Sequence, residues 1–426
     1  MRRSISSWLV LTLLLSSLAV AGGVFPPGAS AARVTISFWH AWGGYEGKKL
    51  EELVARFNAT HPDVKVEPSY VAIGDKLMTA IAGGTPPDVA TIWDWMVASM
   101  AADGSLQPLD TYLADSGITR EDYLPGIWEY GSYRGGKFAV PTTLNVYAIF
   151  YNKDILKAAG YDPAVHITTL EQLEEMAERL TIATKRSFER IGFMPQYIWP
   201  WFWSFGGQFY DPATNKITAN DPANVRALEW MVSFYRKFDF RKYRRFQAGW
   251  GEYASPGNPF YTGKIAIVED GQWQVAAIKK YAPHLNYGVA PYPAPPGGRK
   301  NVAWVNGSFW AIPKGAKHPQ EAWKFLSWLI SPEVSAEWCA TINNIPPMRR
   351  AIKLQVFANT VTPEFQVFLD LLEKGHTFTI PSLPVGQYFT NELWNSVGQV
   401  LEGLKEPKQA LDEVTQRIQV ELNKAR

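Results

Sequence analysis

The sequence predicts an α/β protein of two lobes, and three observations carry that prediction. The chain has 426 residues, beyond the ~250 to 300 at which a single core usually divides. Its apolar residues switch between a period of two and a period of 3.6, so strands and helices take turns. Strand, helix, strand order in turn implies parallel pairing through right-handed crossovers.

Taken in order, the chain opens on a basic Met1-Arg2-Arg3-Ser4, an apolar run from Trp8 to Val20, and the small residues Ala29-Ser30-Ala31. That is the layout of a signal peptide over residues 1–31 with an A-x-A cleavage site. Cleavage there leaves 395 residues; the alternative is a segment retained as an anchor. Val34, Ile36 and Phe38 then alternate with polar residues, predicting a strand that breaks at Gly43-Gly44. Leu50, Leu53, Val54 and Phe57 follow at helical spacing, the signature of one apolar face. Val64 to Val66 restarts a strand, and Asp88 to Trp93 reads as a buried one after Gly83-Gly84-Thr85-Pro86-Pro87. Thr168 with Glu171 reads as a capping box before Leu170, Leu173, Met176, Ala177 and Leu180. Pro319 suits the first turn of a helix whose apolar face is Ala322, Phe325, Leu326 and Leu329.

Composition narrows the function. A net charge of +2 argues against nucleic acid, which needs a concentrated basic face. The one basic run, Arg236 to Arg245 with its interleaved aromatics, reads as a solvated surface segment. Cys339 is the single cysteine, so neither a disulfide framework nor a lipid attachment site is present, and a periplasmic or secreted monomer is expected. The six His residues are scattered, which disfavours a metal cluster. There is no G-x-S-x-G, H-E-x-x-H, C-x-x-C pair or complete P-loop; no cofactor and no catalysis are expected. A secreted glycoside hydrolase or lyase stays open as the rival from another class, because it needs only two placed carboxylates. The 18 Trp, 19 Tyr and 22 Phe exceed what core packing asks for.

Ligands of open α/β sheets sit at the carboxyl ends of strands, which places Trp39 to Gly44 and Trp93 to Trp95 at the mouth of one lobe. A pyranose has a face of C–H bonds and a rim of hydroxyls, so its binder needs flat rings together with amides or carboxylates. Asp94, between Trp93 and Trp95, is placed to accept from adjacent hydroxyls, and charged acceptors make the stronger bonds. A Trp platform covering ~150 to 250 Å² is worth at most about 4 to 6 kcal/mol before ordering costs.

A run of segments in fixed order resembles family 1 of the extracellular solute-binding proteins of ABC transporters. Its carriers are Val34 to Trp42, the helix Glu46 to Phe57 with Asn58 to Val64, Gly84 to Val89, and Gly104 to Asp110. Gly136 to Pro141, Tyr151 to Asp154, Phe260 to Trp273, Tyr287 to Pro291, Gly307 to Trp328 and Asn344 to Pro347 continue it. The resemblance implies the type II periplasmic-binding-protein fold: two discontinuous lobes, 32–141 with 309–345 and 145–303 with 349–426. The hinge crossings would lie near 141–145, 302–308 and 344–349. It also implies a carbohydrate in the interlobe cleft, with hinge closure presenting a new surface to the membrane permease.

The same resemblance assigns the stacking ring to Trp273, after Asp270-Gly271, and further rings to Tyr197, Trp201 and Tyr388. It places Asn145, His40 and Trp42 near the ligand. Asp270, Trp250, Gly307, whose bare backbone lets a sugar come close, and Arg349 are further candidates, with Arg349 tying the lobe together as the alternative. Core packing is the alternative for each ring. An acid stands at the position of Asn145 in maltose-binding protein, so maltose itself is not implied. Within the binding-protein class the rival ligands are glycerol phosphate and a quaternary amine, which would want a basic cleft or an aromatic box.

Overall fold

The computed structural model describes residues 33–425, apart from 125, 163–166 and 252–254. The expected signal segment, 1–31, lies outside the described residues. Among the described residues no helix is long and apolar enough to cross a membrane, and no group of three or more His, Cys, Asp or Glu side chains is arranged to hold a metal ion.

Eight strands form the main sheet: β1 Val34–His40, β2 Val64–Tyr70, β3 Val89–Trp93, β4 Ala139–Asn152, β5 Ile267–Gly271, β6 Tyr287–Ala290, β7 Val302–Ala311 and β8 His376–Phe378. Their order is β5-β4-β7-β3-β1-β2, with β6 also on β4 and β8 also on β7. β1 pairs in parallel with β2 and with β3, as strand, helix, strand order requires. Parallel pairing was expected throughout, yet β7 runs antiparallel to β3, and β4 runs antiparallel to β5, β6 and β7. The reason is length. At 14 and 10 residues, all buried, β4 and β7 run through both halves of the molecule, and a strand that goes out is met by one that comes back.

Apolar side chains form two clusters. The first draws on β1 to β3, on one face of β4 and β7 along most of their length, from Ala139 to Phe150 and from Ala303 to Ala311, and on the helices Pro319–Leu329 and Pro332–Ile342. The second draws on the helices Leu170–Leu180, Ile198–Ser204, Pro222–Lys237, Gly386–Leu401 and Pro407–Lys424, with Tyr147, Ile149 and Tyr151 of β4 and Trp304 of β7. The segment 349–374 was expected with the second lobe, but Phe357, Phe365, Phe368 and Leu371 join the first cluster. Helix Pro363–Lys374 lies against the side of β4 that carries Phe150, whose ring is 5.8 Å from that of Phe368.

Local expectations hold with small shifts. Leu50, Leu53, Val54 and Phe57 are the buried stripe of helix Gly44–Thr60, and Pro319 opens its helix. The cap before Leu170 forms one residue later than expected. Thr169 Oγ1 accepts from the Gln172 amide at 3.2 Å, and the Gln172 side chain accepts from the Thr168 amide at 3.0 Å. Adjacent threonines offer the same hydroxyl, so the sequence leaves the frame of the cap undecided.

Candidate functional site

Where β4 and β7 pass between the two clusters, polar and aromatic residues replace aliphatic ones on one face. Asn145 and Asn306 are register partners, so their side chains share that face. Asn145 Nδ2 donates to Asn306 Oδ1 at 2.9 Å, and Asn306 Nδ2 donates to the Tyr147 hydroxyl at 3.3 Å. Two residues along each strand, Tyr147 and Trp304 stack with centroids 3.9 Å apart and planes at 13°. Tyr197 meets both edge-on, at 5.2 and 5.4 Å, and Trp273 stands at 89° to Tyr147 at 5.3 Å. Two of these four rings, Tyr197 and Trp273, stay half-buried. Asn145 Oδ1 and Trp304 Nε1 are buried without a protein partner, a costly arrangement that a hydroxyl-bearing ligand would relieve.

Trp273 owes its placement to a glycine. Its ring folds back over Gly271, where a Cβ would sit 2.1 Å from the nearest ring atom. Any other residue at 271 would push the ring off. Tyr197 is set by a buried carboxylate: Glu269 accepts from the Gln196 amide at 2.9 Å and the Tyr197 amide at 2.8 Å, and from Trp201 Nε1. Burial pushes Glu269 up to about 8 despite those donors.

On the first-cluster side, β3 ends at Trp93, which stacks on Trp95 at 5.8 Å and 14°. Asp94 between them is 2% exposed, and Thr379 Oγ1 donates to its Oδ2 at 3.4 Å. Amides of Trp95 and Gly307 favour its charged form, but burial outweighs them and raises the carboxyl to about 7. Tyr130, beside Thr379 and Asp94, is pushed up to about 12, mainly by burial. Helix Gly386–Leu401 of the second cluster abuts this turn, since a Cβ on Gly386 would lie 2.4 Å from the Trp95 carbonyl oxygen. Asp94, Trp93 and Trp95 therefore face the crossing from one half, and Tyr147, Tyr197, Trp273 and Trp304 from the other.

The other expected site residues are placed in the cores, in turns or in neighbouring cavities. Trp201, expected as a platform, is fully buried behind Tyr197, packed edge-on to Tyr292 at 5.0 Å. All seven residues of helix Ile198–Ser204 are buried, so its indoles are core. Trp42 packs edge-on to Trp338 at 5.1 Å, and His40 lies under Phe38 with both ring nitrogens unpartnered. Burial lowers the His40 pKa and keeps the ring neutral. Asp270 is 2% exposed and tied up in the turn that follows, accepting from the Gly271 amide at 2.8 Å and from Gln274 Nε2 at 2.7 Å. Gly307 serves strand pairing, because a Cβ there would be 2.7 Å from the Thr143 carbonyl oxygen. Trp250 is half-buried against Tyr243 and Phe246 and lines a cavity of about 170 Å³ with Tyr197 and Asp270. Tyr388, 37% exposed, lines a groove of about 410 Å³ with Met78, Met96 and Met100. Arg349 lines a cavity of about 610 Å³ with Tyr130, Leu144, Val305 and Phe378. Leu144 and Val305 alternate with Asn145 and Asn306, so that cavity opens on the reverse face of the crossing strands.

Sequence reasoning missed Tyr147, Trp304, Asn306, Thr379 and Glu269. The signal was there as a period of two, in Asn145-Val146-Tyr147 and Trp304-Val305-Asn306. Only the register of β4 on β7 brings the two stretches to one face.

Comparison with known proteins adds the following. A family model described as bacterial extracellular solute-binding protein matches residues 41–336. A structure of CpMnBP1 with mannobiose bound is 30% identical, covers 90% of this chain and 99% of that chain, and superposes with a TM-score of 0.82. The sugar-binding protein MalE from Xanthomonas citri is 25% identical over 92% of this chain and 98% of its own, with a TM-score of 0.69. The sn-glycerol-3-phosphate-binding periplasmic protein UgpB of Shigella dysenteriae is 27% identical over 94% of this chain and 95% of its own.

Proposed function

Because this chain belongs to the bacterial extracellular solute-binding proteins, we propose that it captures a neutral oligosaccharide between its lobes and delivers it to the membrane permease of an ABC importer. The observation that carries this reading is the group of four rings, Tyr147, Tyr197, Trp273 and Trp304, set beside the Asn145 and Asn306 amides where β4 and β7 cross. Rings take the C–H face of a sugar and amides take its rim. Two unpartnered polar atoms, Asn145 Oδ1 and Trp304 Nε1, wait on that face for hydroxyl partners. Mannobiose bound to the 30% identical relative supports short saccharides as the first ligands to try.

In this reading the lobes are 32–141 with 309–345 and 145–303 with 349–426, joined near 141–145, 302–308 and 344–349, with the helix Pro363–Lys374 packed on the first cluster. Asp94, Trp93 and Trp95 act from the first lobe and Trp273 and Tyr197 from the second, so a ligand touching both favours the closed arrangement. Export behind the 1–31 segment, action as a monomer and absence of catalysis belong to the same reading.

Glycerol phosphate is the second reading, favoured by the UgpB relatives. The charges beside the rings argue against it. Tyr147 is raised mainly by burial, with Asp270 and Asp94 adding to it, so an anionic phosphate would meet acidic side chains there rather than the basic groups it needs. Calorimetry with mannobiose, mannotriose, maltotriose and glycerol 3-phosphate separates the two. A saccharide should bind at micromolar Kd or tighter; heat from the phosphate ester alone would overturn the sugar reading.

A further inference from the structure

We infer that Gln272 is the positioning residue that links the Trp273 platform to the hinge, an inference that rests on the sugar-binding reading. The backbone leaves a gap that this side chain fills. β5 stops pairing with β4 at Gly271, opposite Tyr147. The next backbone partner on that edge of β4 is Ile345, which exchanges two hydrogen bonds with Leu144, at 2.8 and 3.2 Å. Between them the Val146 N–H points to the same edge with no strand beside it.

Gln272 supplies the missing peptide. Its Oε1 accepts from the Val146 N–H at 2.7 Å, and its Nε2 donates to the Leu144 carbonyl at 2.9 Å. The second Nε2 hydrogen goes to Asn344 Oδ1 at 3.0 Å. The side chain is wholly buried, and its amide can face only one way, because Val146 offers a donor and Leu144 an acceptor. One residue therefore joins β4 and the 344–345 segment, the two crossings on this edge, while its main chain sits between Gly271 and Trp273.

The mechanical consequence follows from the bond types. Ladder hydrogen bonds between two backbones fix both strands, whereas a glutamine amide hangs on three rotatable side-chain bonds. On this edge β4 can thus shift at Val146 while its ladder with β7 and the Leu144–Ile345 pair persist, and the shift is felt at Trp273, the next residue along from Gln272. Stacking of a sugar on Trp273 and flexing of the hinge are parts of one motion.

The test compares the wild-type chain with Gln272→Glu, Gln272→Met and Asn344→Ala. Glutamate keeps the shape but turns an acceptor toward the Leu144 and Asn344 oxygens. Affinity and dissociation rate are measured with mannotriose, and closure is followed as the drop in radius of gyration by small-angle scattering. Gln272→Glu should dissociate about tenfold faster, with a smaller drop in radius, and the defect should ease as pH falls because a protonated glutamate regains a donor. Wild-type affinity, rate and closure in both Gln272 variants, with only a lower Tm, would overturn the role. If those variants fail to fold, Asn344→Ala, which removes one contact of three, should still speed dissociation several-fold, and an unchanged rate overturns the role. If the wild-type chain binds no saccharide, the sugar reading fails by itself. The ligand-free radius of Gln272→Met then decides the hinge role, and equality with wild type overturns it.

Discussion

At the residue scale, burial decides the chemistry of the site more than residue type does. Asp94 is an acid beside two amides, yet its carboxyl titrates near 7 because almost no water reaches it. A carboxyl raised above its unfolded value near 3.9 makes the native state hold a proton that the unfolded chain gives up. Stability from this group is therefore full below about pH 4 and is lost as pH rises through about 7, by up to about 4 kcal/mol. Glu269, raised to about 8, acts in the same sense. We predict that Tm falls between pH 5 and pH 8 and that Asp94→Asn flattens the fall; a Tm independent of pH over that range would refute the assignment. Sugar affinity should show the opposite trend, rising as Asp94 ionises and becomes a stronger acceptor, which calorimetry at pH 5.5 and 8 checks. Trp273 and Trp201 make the complementary pair. Trp273→Ala should weaken saccharide binding at least tenfold with little loss of Tm. Trp201→Phe should leave Glu269 short of a donor and cost about 2 kcal/mol of stability, read by urea unfolding, with affinity changed less.

Among elements, the turns after strands place the site, and glycines set how closely they pack. Gly271 leaves room for the Trp273 ring, and Gly386 lets a helix of the second cluster press on the turn of Trp95. Gly271→Ala should displace the ring and reproduce the affinity loss of Trp273→Ala while Trp273 is still present, which calorimetry on the variant tests. The helices and the first three strands were legible in the sequence because amphipathic period and breaker residues are local signals. Asp94 was expected at the site because it follows a strand end, Asn145 because the resemblance puts it beside the first crossing, and Trp273 on both grounds. Trp201 and Trp42 were misplaced because an aromatic near a strand end looks the same whether it faces a cleft or the core. Tyr147 and Trp304 were missed for a related reason: they lie 157 residues apart, and pairing register over that distance leaves no trace in composition.

For the whole molecule, the decisive feature is that β4 and β7 belong to both halves. The first cluster needs Ile36 at one end of the chain and Leu371 near the other, and the second needs Tyr147 and Leu422. Neither core is complete until residues far apart along the chain have met. Contacts of such long sequence separation form slowly, so a chain built this way is expected to collapse later than one whose cores close locally.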